Sequence, residues 1–223
     1  MAGKQPDENS ERVVYGIVSL RAMRVHWALQ ELGLAYRTER IESRTGQTLT
    51  DEYTRLNPRQ KIPAFRDGDF ILSESAAIVT YLGEKYRDRG VELVPADLEQ
   101  RARYFELISL ITMELDASSL YVVRRHEGLP EIYGPAPDVC ASCREYFLKQ
   151  LNATRPAFED GREHLLSCGF SGADIVMMTC LDWAARYGLA LPELFQDYRR
   201  RIGRRPAYQA ALETNETPKA PAP

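Results

Sequence analysis

The chain reads as an α/β domain followed by an all-helical domain. Over its first third, short apolar or β-branched runs alternate with stretches of helical periodicity and close in a tight hairpin. Beyond Arg87 to Asp97 (RDRGVELVPAD), a stretch with the charge, glycine and proline of a linker, every convincing pattern is helical. The predicted boundaries are residues 12–87 for the α/β domain and residues 98–213 for the helical one.

Val13 to Val18 (VVYGIV) is a short β-branched run and predicts a buried first strand. From Leu20 to Leu32 the period becomes helical, with Met23 and Trp27 on one stripe and Val25, Leu29 and Leu32 on another. Two stripes predict a helix covered on more than one side, and Gly33 stands where a helix C-terminus takes a left-handed residue. Leu34 to Ile41 reads as a more polar second strand towards an edge, and a right-handed crossover would make it parallel to the first. Gln47 to Leu56 predicts a short helix ended by Asn57-Pro58, because the residue before proline is pushed out of the α region.

Pro63 to Arg66 and Phe70 to Leu72 then form two strands joined by Asp67-Gly68-Asp69, with a helix from about Ser75 to Tyr86 behind them. In the second half, Leu98 to Glu127 is a long helical run with Phe105, Ile108 and Leu115 at helical spacings. A Gly/Pro-rich break from Gly128 to Pro137 follows, then helices near Asp138 to Leu151, Ala173 to Tyr187 and Pro206 to Leu212. Thr214 to Pro223 is Pro- and Ala-rich and reads as a flexible tail.

Composition narrows the function. The 223 residues are 44% hydrophobic and 27% charged, which fits a folded globular chain, and the formal charge of -3 gives no basic footprint for nucleic acid. Arg199 to Arg205 is the one basic cluster, read as the solvated end of a helix. The N-terminus is polar, and no run approaches the ~20 apolar residues of a membrane span, so a cytoplasmic location is expected. Four cysteines, Cys140, Cys143, Cys168 and Cys180, make no disulfide framework in a chain of this size.

Several motifs have an ordinary reading. Cys140-Ala-Ser-Cys143 lies inside a helical pattern rather than after a strand, where a redox pair gains its low pKa. His26, His126 and His164 are scattered and match no metal spacing. Ser171-Gly-Ala-Asp174 has the spacing of a capping box.

Three places are less ordinary. Pro63 opens a strand although it donates no N–H to a sheet. Ser19 falls at the start of the first helix, as a plain N-cap or as a hydroxyl held beside free N–H groups and the positive end of the helix dipole. Glu74-Ser75 stands at another helix start, where N–H groups and a hydroxyl can bind a carboxylate while Glu74 pairs with an amine. Such a pair suits a zwitterionic ligand end.

Ser19, Gln60-Lys61-Ile62-Pro63, Asp67-Gly68, Glu74-Ser75-Ala-Ala-Ile78 with Tyr81-Leu82, and Phe170-Ser-Gly-Ala-Asp174-Ile, in this order, resemble the cytosolic glutathione transferases from Arg12 to Leu212. The serine before the first helix is most similar to the theta and zeta classes. The resemblance implies a thioredoxin-like N-terminal domain, an all-helical C-terminal domain, a homodimer, and a cleft between the domains.

It also implies roles. Pro63 would be a cis-proline, and the Ile62 backbone would pair with the cysteinyl part of glutathione as if with another strand. Glu74 and Ser75 would hold the γ-glutamyl amine and carboxylate, and Lys61, with Gln60, would face the glycyl end. Ser19 would donate a hydrogen bond to the sulfur. A free thiol with pKa ~8.5 is only a few per cent ionised at neutral pH, so a fall of about two units, roughly 2.7 kcal/mol, makes the thiolate dominant.

The implied activity is conjugation of glutathione, the co-substrate, to a small hydrophobic electrophile, with no metal. Alternatives are glutathione-dependent disulfide reduction or reductive cleavage, and a non-catalytic binding module of the same fold. The first-helix entry Ser19-Leu20-Arg21-Ala22 has neither the cysteine of redox-active members nor the Ser-Ser-Cys run of the zeta isomerases. Tyr15 is the rival of Ser19 at the sulfur, since other classes use a tyrosine. Met113, Asp116 and Tyr121 on the long helix are candidates for the electrophile pocket.

Overall fold

A computed structural model describes residues 11–216, which form two compact units: residues 11–93 with 204–216, and residues 94–203. In the first, β1 (Arg12–Tyr15) is followed by α1 (Leu20–Glu31) and β2 (Arg37–Glu39). A single 3-10 turn (Gln47–Leu49) precedes α2 (Asp51–Leu56), then come β3 (Ala64–Asp67), β4 (Phe70–Ser73) and α3 (Ser75–Lys85). The sheet order is β2-β1-β3-β4, with β1 parallel to β2 and antiparallel to β3, and β3 antiparallel to β4. This is the predicted crossover and hairpin. Gly68, at φ 62, takes the positive φ that a two-residue hairpin loop demands.

The core of this unit is built from β1 and the helices behind it. Val13, Val14, Trp27, Leu29, Phe65, Ile78, Val79 and Leu82 are fully buried. Helix α1 is buried from Ala22 to Leu29 because α3 packs on one side of it and the last helix on another, as its two apolar stripes predict. It ends at the left-handed Gly33, φ 61.

The second unit holds α4 (Leu98–Leu110), a π-helical stretch (Ile111–Leu120), α5 (Tyr121–His126), the short α6 (Pro130–Tyr133), α7 (Pro137–Ala153), a 3-10 turn (Arg155–Phe158), α8 (Gly172–Arg186) and α9 (Glu193–Ile202). Helix α8 is the centre of the bundle, buried without a break from Gly172 to Ala184. Its start is the predicted capping box. The Ser171 hydroxyl accepts from the Ala173 N–H at 3.2 Å, and Asp174 Oδ2 accepts from the Ser171 N–H at 2.9 Å.

Four features differ from the sequence reading. The last helix, α10 (Pro206–Asn215), begins within the residues predicted for the helical domain, 98–213, yet it packs on α1. There Tyr208 meets Trp27 edge to face at 4.9 Å, and Arg205 pairs with both oxygens of Glu31. The tail expected from Thr214 does not hold at Thr214 and Asn215, which are the last residues of α10; residues 217–223 lie outside the described region.

Helix α9 ends in the arginine cluster read as the solvated end of a helix, and it is amphipathic over Glu193–Ile202. Its guanidinium groups are not simply solvated: Arg199 Nε bonds Asp182 Oδ1 at 2.7 Å, Arg200 pairs with Asp197, and Arg201 donates to the Glu163 carbonyl. Lastly, the long helical run is interrupted by the π stretch, in which backbone bonds span five residues, as from the Tyr121 N–H to the Asp116 carbonyl. Among the described residues no helix is long and apolar enough to cross a membrane.

Candidate functional site

The sheet register brings the candidate residues to one end of the first unit. Tyr15 pairs with Ala64, and Ala64 pairs with Ser73. The end of β1, the start of β3 and the end of β4 therefore lie in one row. Ser19, Ile62-Pro63 and Glu74-Ser75 leave the sheet from that row.

Ser19 is the N-cap of α1, with an extended backbone (φ -144, ψ 130) and its Oγ accepting from the Ala22 N–H at 3.4 Å. Both sequence readings of Ser19 meet here. A capping hydroxyl uses a lone pair for the helix and keeps its own hydrogen free to donate. Gly16, φ 137, makes the approach to this loop possible, because a Cβ there would lie 2.9 Å from Ile62 Cβ.

Behind the loop, His26 is fully buried, with Nε2 2.9 Å from the Gly16 carbonyl and Nδ1 3.3 Å from the Tyr36 hydroxyl. A carbonyl only accepts, so Nε2 carries the hydrogen and Nδ1 accepts from Tyr36. Burial pushes the His26 pKa down to about 4, so the ring is neutral.

The Ile62-Pro63 peptide is cis. The segment before it is pinned from α2: the Lys61 carbonyl accepts from the Tyr53 hydroxyl at 2.8 Å and from Asn57 Nδ2 at 2.7 Å. Burial raises the Tyr53 pKa to about 12, so it stays a donor. Gln60, at φ 54, gives its amide to the Thr54 hydroxyl at 3.0 Å, and Lys61 is exposed. Among the described residues, the Ile62 N–H and C=O have no backbone partner, although β3 begins two residues later.

Glu74 is the N-cap of α3 at φ 72, ψ 110, an uncommon backbone for a residue with a side chain, and its carboxylate makes no cap. It pairs instead with Arg59 at 3.3 Å, and Arg59 also reaches the Ser73 hydroxyl. Ser75 is buried at the first turn of α3, where its Oγ accepts from Arg24 Nη1 at 3.2 Å. That bond occupies an acceptor site and leaves the Ser75 hydroxyl hydrogen to donate elsewhere.

Sequence reasoning missed Arg24, Arg59, Tyr53 and Asn57. Only Arg24 left a trace, as a charge amid the buried run from Ala22 to Leu29. Tyr15 stands beside Arg66 at the end of β1. The three pocket candidates of the helical unit do not share an environment: Met113 is 63% exposed, Asp116 is buried and Tyr121 is half-buried. The π stretch that holds two of them does not keep the α-helical spacing of the predicted long helix.

The four cysteines form no disulfide among the described residues, Cys140 and Cys143 lie within α7, and burial raises both of those thiols. Among the described residues no three metal-ligating side chains cluster.

A four-stranded thioredoxin-like unit with a cis-proline before β3, carried in one chain with a helical bundle, defines the glutathione transferase fold. Residues 11–84 match the family described as glutathione S-transferase, N-terminal domain. The first unit thus matches the N-terminal domain of the glutathione transferases, and the chain is similar to the theta-class members of that family.

It is 31% identical to glutathione S-transferase theta-3 of Mus musculus over 149 residues, 66% of this chain and 61% of that one. It is 32% identical to glutathione S-transferase theta-1 of Bos taurus over 141 residues, 62% of this chain and 58% of that one. The matched region thus spans about three fifths of those relatives' length. In fold it is similar to the theta-class enzyme of Xanthomonas axonopodis pv. citri with glutathione bound, at TM-score 0.77 and 24% identity, over 91% of this chain and 97% of that one.

Proposed function

We propose that the protein is a glutathione transferase of the serine type, in which Ser19 donates a hydrogen bond to the glutathione sulfur and holds it as thiolate for attack on a small hydrophobic electrophile. What carries this reading is the row Tyr15–Ala64–Ser73, from which Ser19, Ile62 and Glu74-Ser75 all emerge. The unpaired Ile62 backbone offers an N–H and a C=O to the cysteinyl peptide, in the manner of an added strand.

The Ser75 hydroxyl and the free N–H groups of the first turn of α3 would take the γ-glutamyl carboxylate, and Glu74 the amine. Lys61 would face the glycyl end. Gln60 has its amide on Thr54 and serves the loop through its backbone. At the sulfur, the Ser19 hydroxyl and the N-terminus of α1 together favour the charged form. Attack then needs position more than a covalent intermediate.

The protein would work in the cytoplasm as a homodimer, for which the exposed Phe70 and Ile71 of the edge strand β4 are candidate contacts. The first unit would serve the thiol, and the helical unit, residues 94–203, the electrophile.

The test is Ser19→Ala, assayed with glutathione and a panel of electrophile and disulfide substrates. We expect retained binding to immobilised glutathione and a fall in kcat of about 100-fold, the size seen when one transition-state donor is lost. Unchanged turnover would remove Ser19 from the mechanism. Failure of the unsubstituted protein to bind glutathione would instead favour a non-catalytic module.

A further inference from the structure

The loop between β1 and α1 places Val18, a β-branched residue, at φ 54, in the left-handed region where such side chains are outliers. The next residue is Ser19. Two hydrogen bonds hold this pair, and both come from the far end of the chain. The Val18 N–H donates to the Asn215 carbonyl at 2.7 Å, and the Ser19 N–H donates to Asn215 Oδ1 at 3.4 Å.

Asn215 is the last residue of α10 and is 6% exposed. Its own position is fixed by the neighbours of α10: Arg205 on Glu31, Tyr208 on Trp27, and Arg40 donating to the carbonyls of Thr214 and Glu216.

We propose that Asn215 is a positioning residue for the Ser19 hydroxyl, an inference that rests on the reading of Ser19 as donor to the glutathione sulfur. The cap bond from Ser19 Oγ to the Ala22 N–H and the bond from the Ser19 N–H to Asn215 Oδ1 are both long, 3.4 Å, so neither holds the residue by itself and the loop depends on the two acting together with the 2.7 Å bond on Val18. Val18 gains by returning to negative φ, a rotation that swings the peptide between Val18 and Ser19. Asn215 opposes that rotation from both sides of the pair, by its carbonyl on Val18 and its amide oxygen on Ser19. The groups proposed to bind the glutathione backbone sit on other segments, at Ile62, Glu74 and Ser75, so loss of the Asn215 side chain moves the donor without moving the cradle.

The experiment compares the unsubstituted protein, Asn215→Ala and Ser19→Ala by the ultraviolet absorbance of the bound glutathione thiolate against pH, together with kcat and KM for glutathione. For Asn215→Ala we expect the bound thiol pKa to rise by about one unit and kcat at neutral pH to fall about tenfold, with KM for glutathione within about twofold. Val18→Gly in the Asn215→Ala background should recover part of the loss, because glycine holds positive φ without help.

Asn215→Ser, whose hydroxyl is too short to reach Ser19, makes the same prediction and serves if the alanine variant does not fold. A folded Asn215 variant with unchanged thiol pKa and kcat overturns the proposal, as does one that loses only thermal stability or only glutathione affinity. If Ser19→Ala also leaves the thiol pKa unchanged, the reading of Ser19 fails and the role of Asn215 goes with it. If Ser19→Ala raises it and Asn215→Ala does not, only the present inference fails.

Discussion

Arg24 Nη1 lies 3.2 Å from Ser75 Oγ, joining the middle of α1 to the first turn of α3, and both residues are buried. The bond decides which way the Ser75 hydroxyl hydrogen is free to point. It also brings a positive charge near the place proposed for a ligand carboxylate. Arg24→Met keeps much of the volume and removes the donor. We expect KM for glutathione to rise by about tenfold and stability to fall by about 1–3 kcal/mol, since a hydrogen bond from a charged group is lost in the interior. Urea denaturation and steady-state kinetics read the two effects separately.

Gly16 has no room for a side chain. A Cβ would stand 2.9 Å from Ile62 Cβ, and φ 137 is itself unsuited to an L-residue. Gly16→Ala should destabilise by about 1–3 kcal/mol through overpacking and backbone strain. The shift of the urea midpoint measures it. Ile62→Ala in the same background should relieve the overlap and leave the strain, recovering only part of the loss.

His26 links stability to acid. Its folded pKa, about 4, is below the unfolded value near 6.5 because burial opposes the charged ring. Between those values the unfolded chain binds the extra proton, so stability is fully present above about pH 6.5 and is lost as pH falls towards 4. The size is of order 3 kcal/mol. A series of urea melts across this window should show the slope, and His26→Gln should flatten it. An equal slope in the variant would assign the acid sensitivity to other groups.

Asp174 is a fully buried carboxylate at the start of α8. It accepts from the Ser171 N–H and hydroxyl, from the Leu165 N–H at 3.0 Å and from the Tyr198 hydroxyl at 2.7 Å. Asp174→Ala strands these buried donors and should cost about 3–5 kcal/mol; Tyr198→Phe, which removes one partner, about 1–2 kcal/mol. Thermal unfolding of the two variants gives the comparison. Similar losses for both would mean that the cap contributes little beyond the tyrosine bond.

Much of the fold was legible because it rests on local rules. The hairpin at Asp67-Gly68-Asp69, the left-handed Gly33 and the cap at Ser171 each follow from what a few neighbouring residues can adopt. The candidate site was half legible for the same reason. Ser19 and Glu74-Ser75 announce themselves as helix starts, and Pro63 as a proline where a sheet has no use for one. Arg59, Tyr53 and Asn57 are invisible as a group, because nothing in their local pattern says that they hold Glu74 and the Lys61 carbonyl.

The sequence by itself determined the order of elements and the residues that cap, turn and line them, since these depend on backbone preferences over a few positions and on the period of apolar residues. Beyond the crossover and the hairpin, tertiary structure alone decided which of those elements meet. The row Tyr15–Ala64–Ser73 exists only once β3 lies between β1 and β4, and Asn215 reaches Ser19 only because α10 returns to pack on α1. Burial of a shared apolar face sets such meetings, and that face is assembled from segments whose separation along the chain carries no local mark.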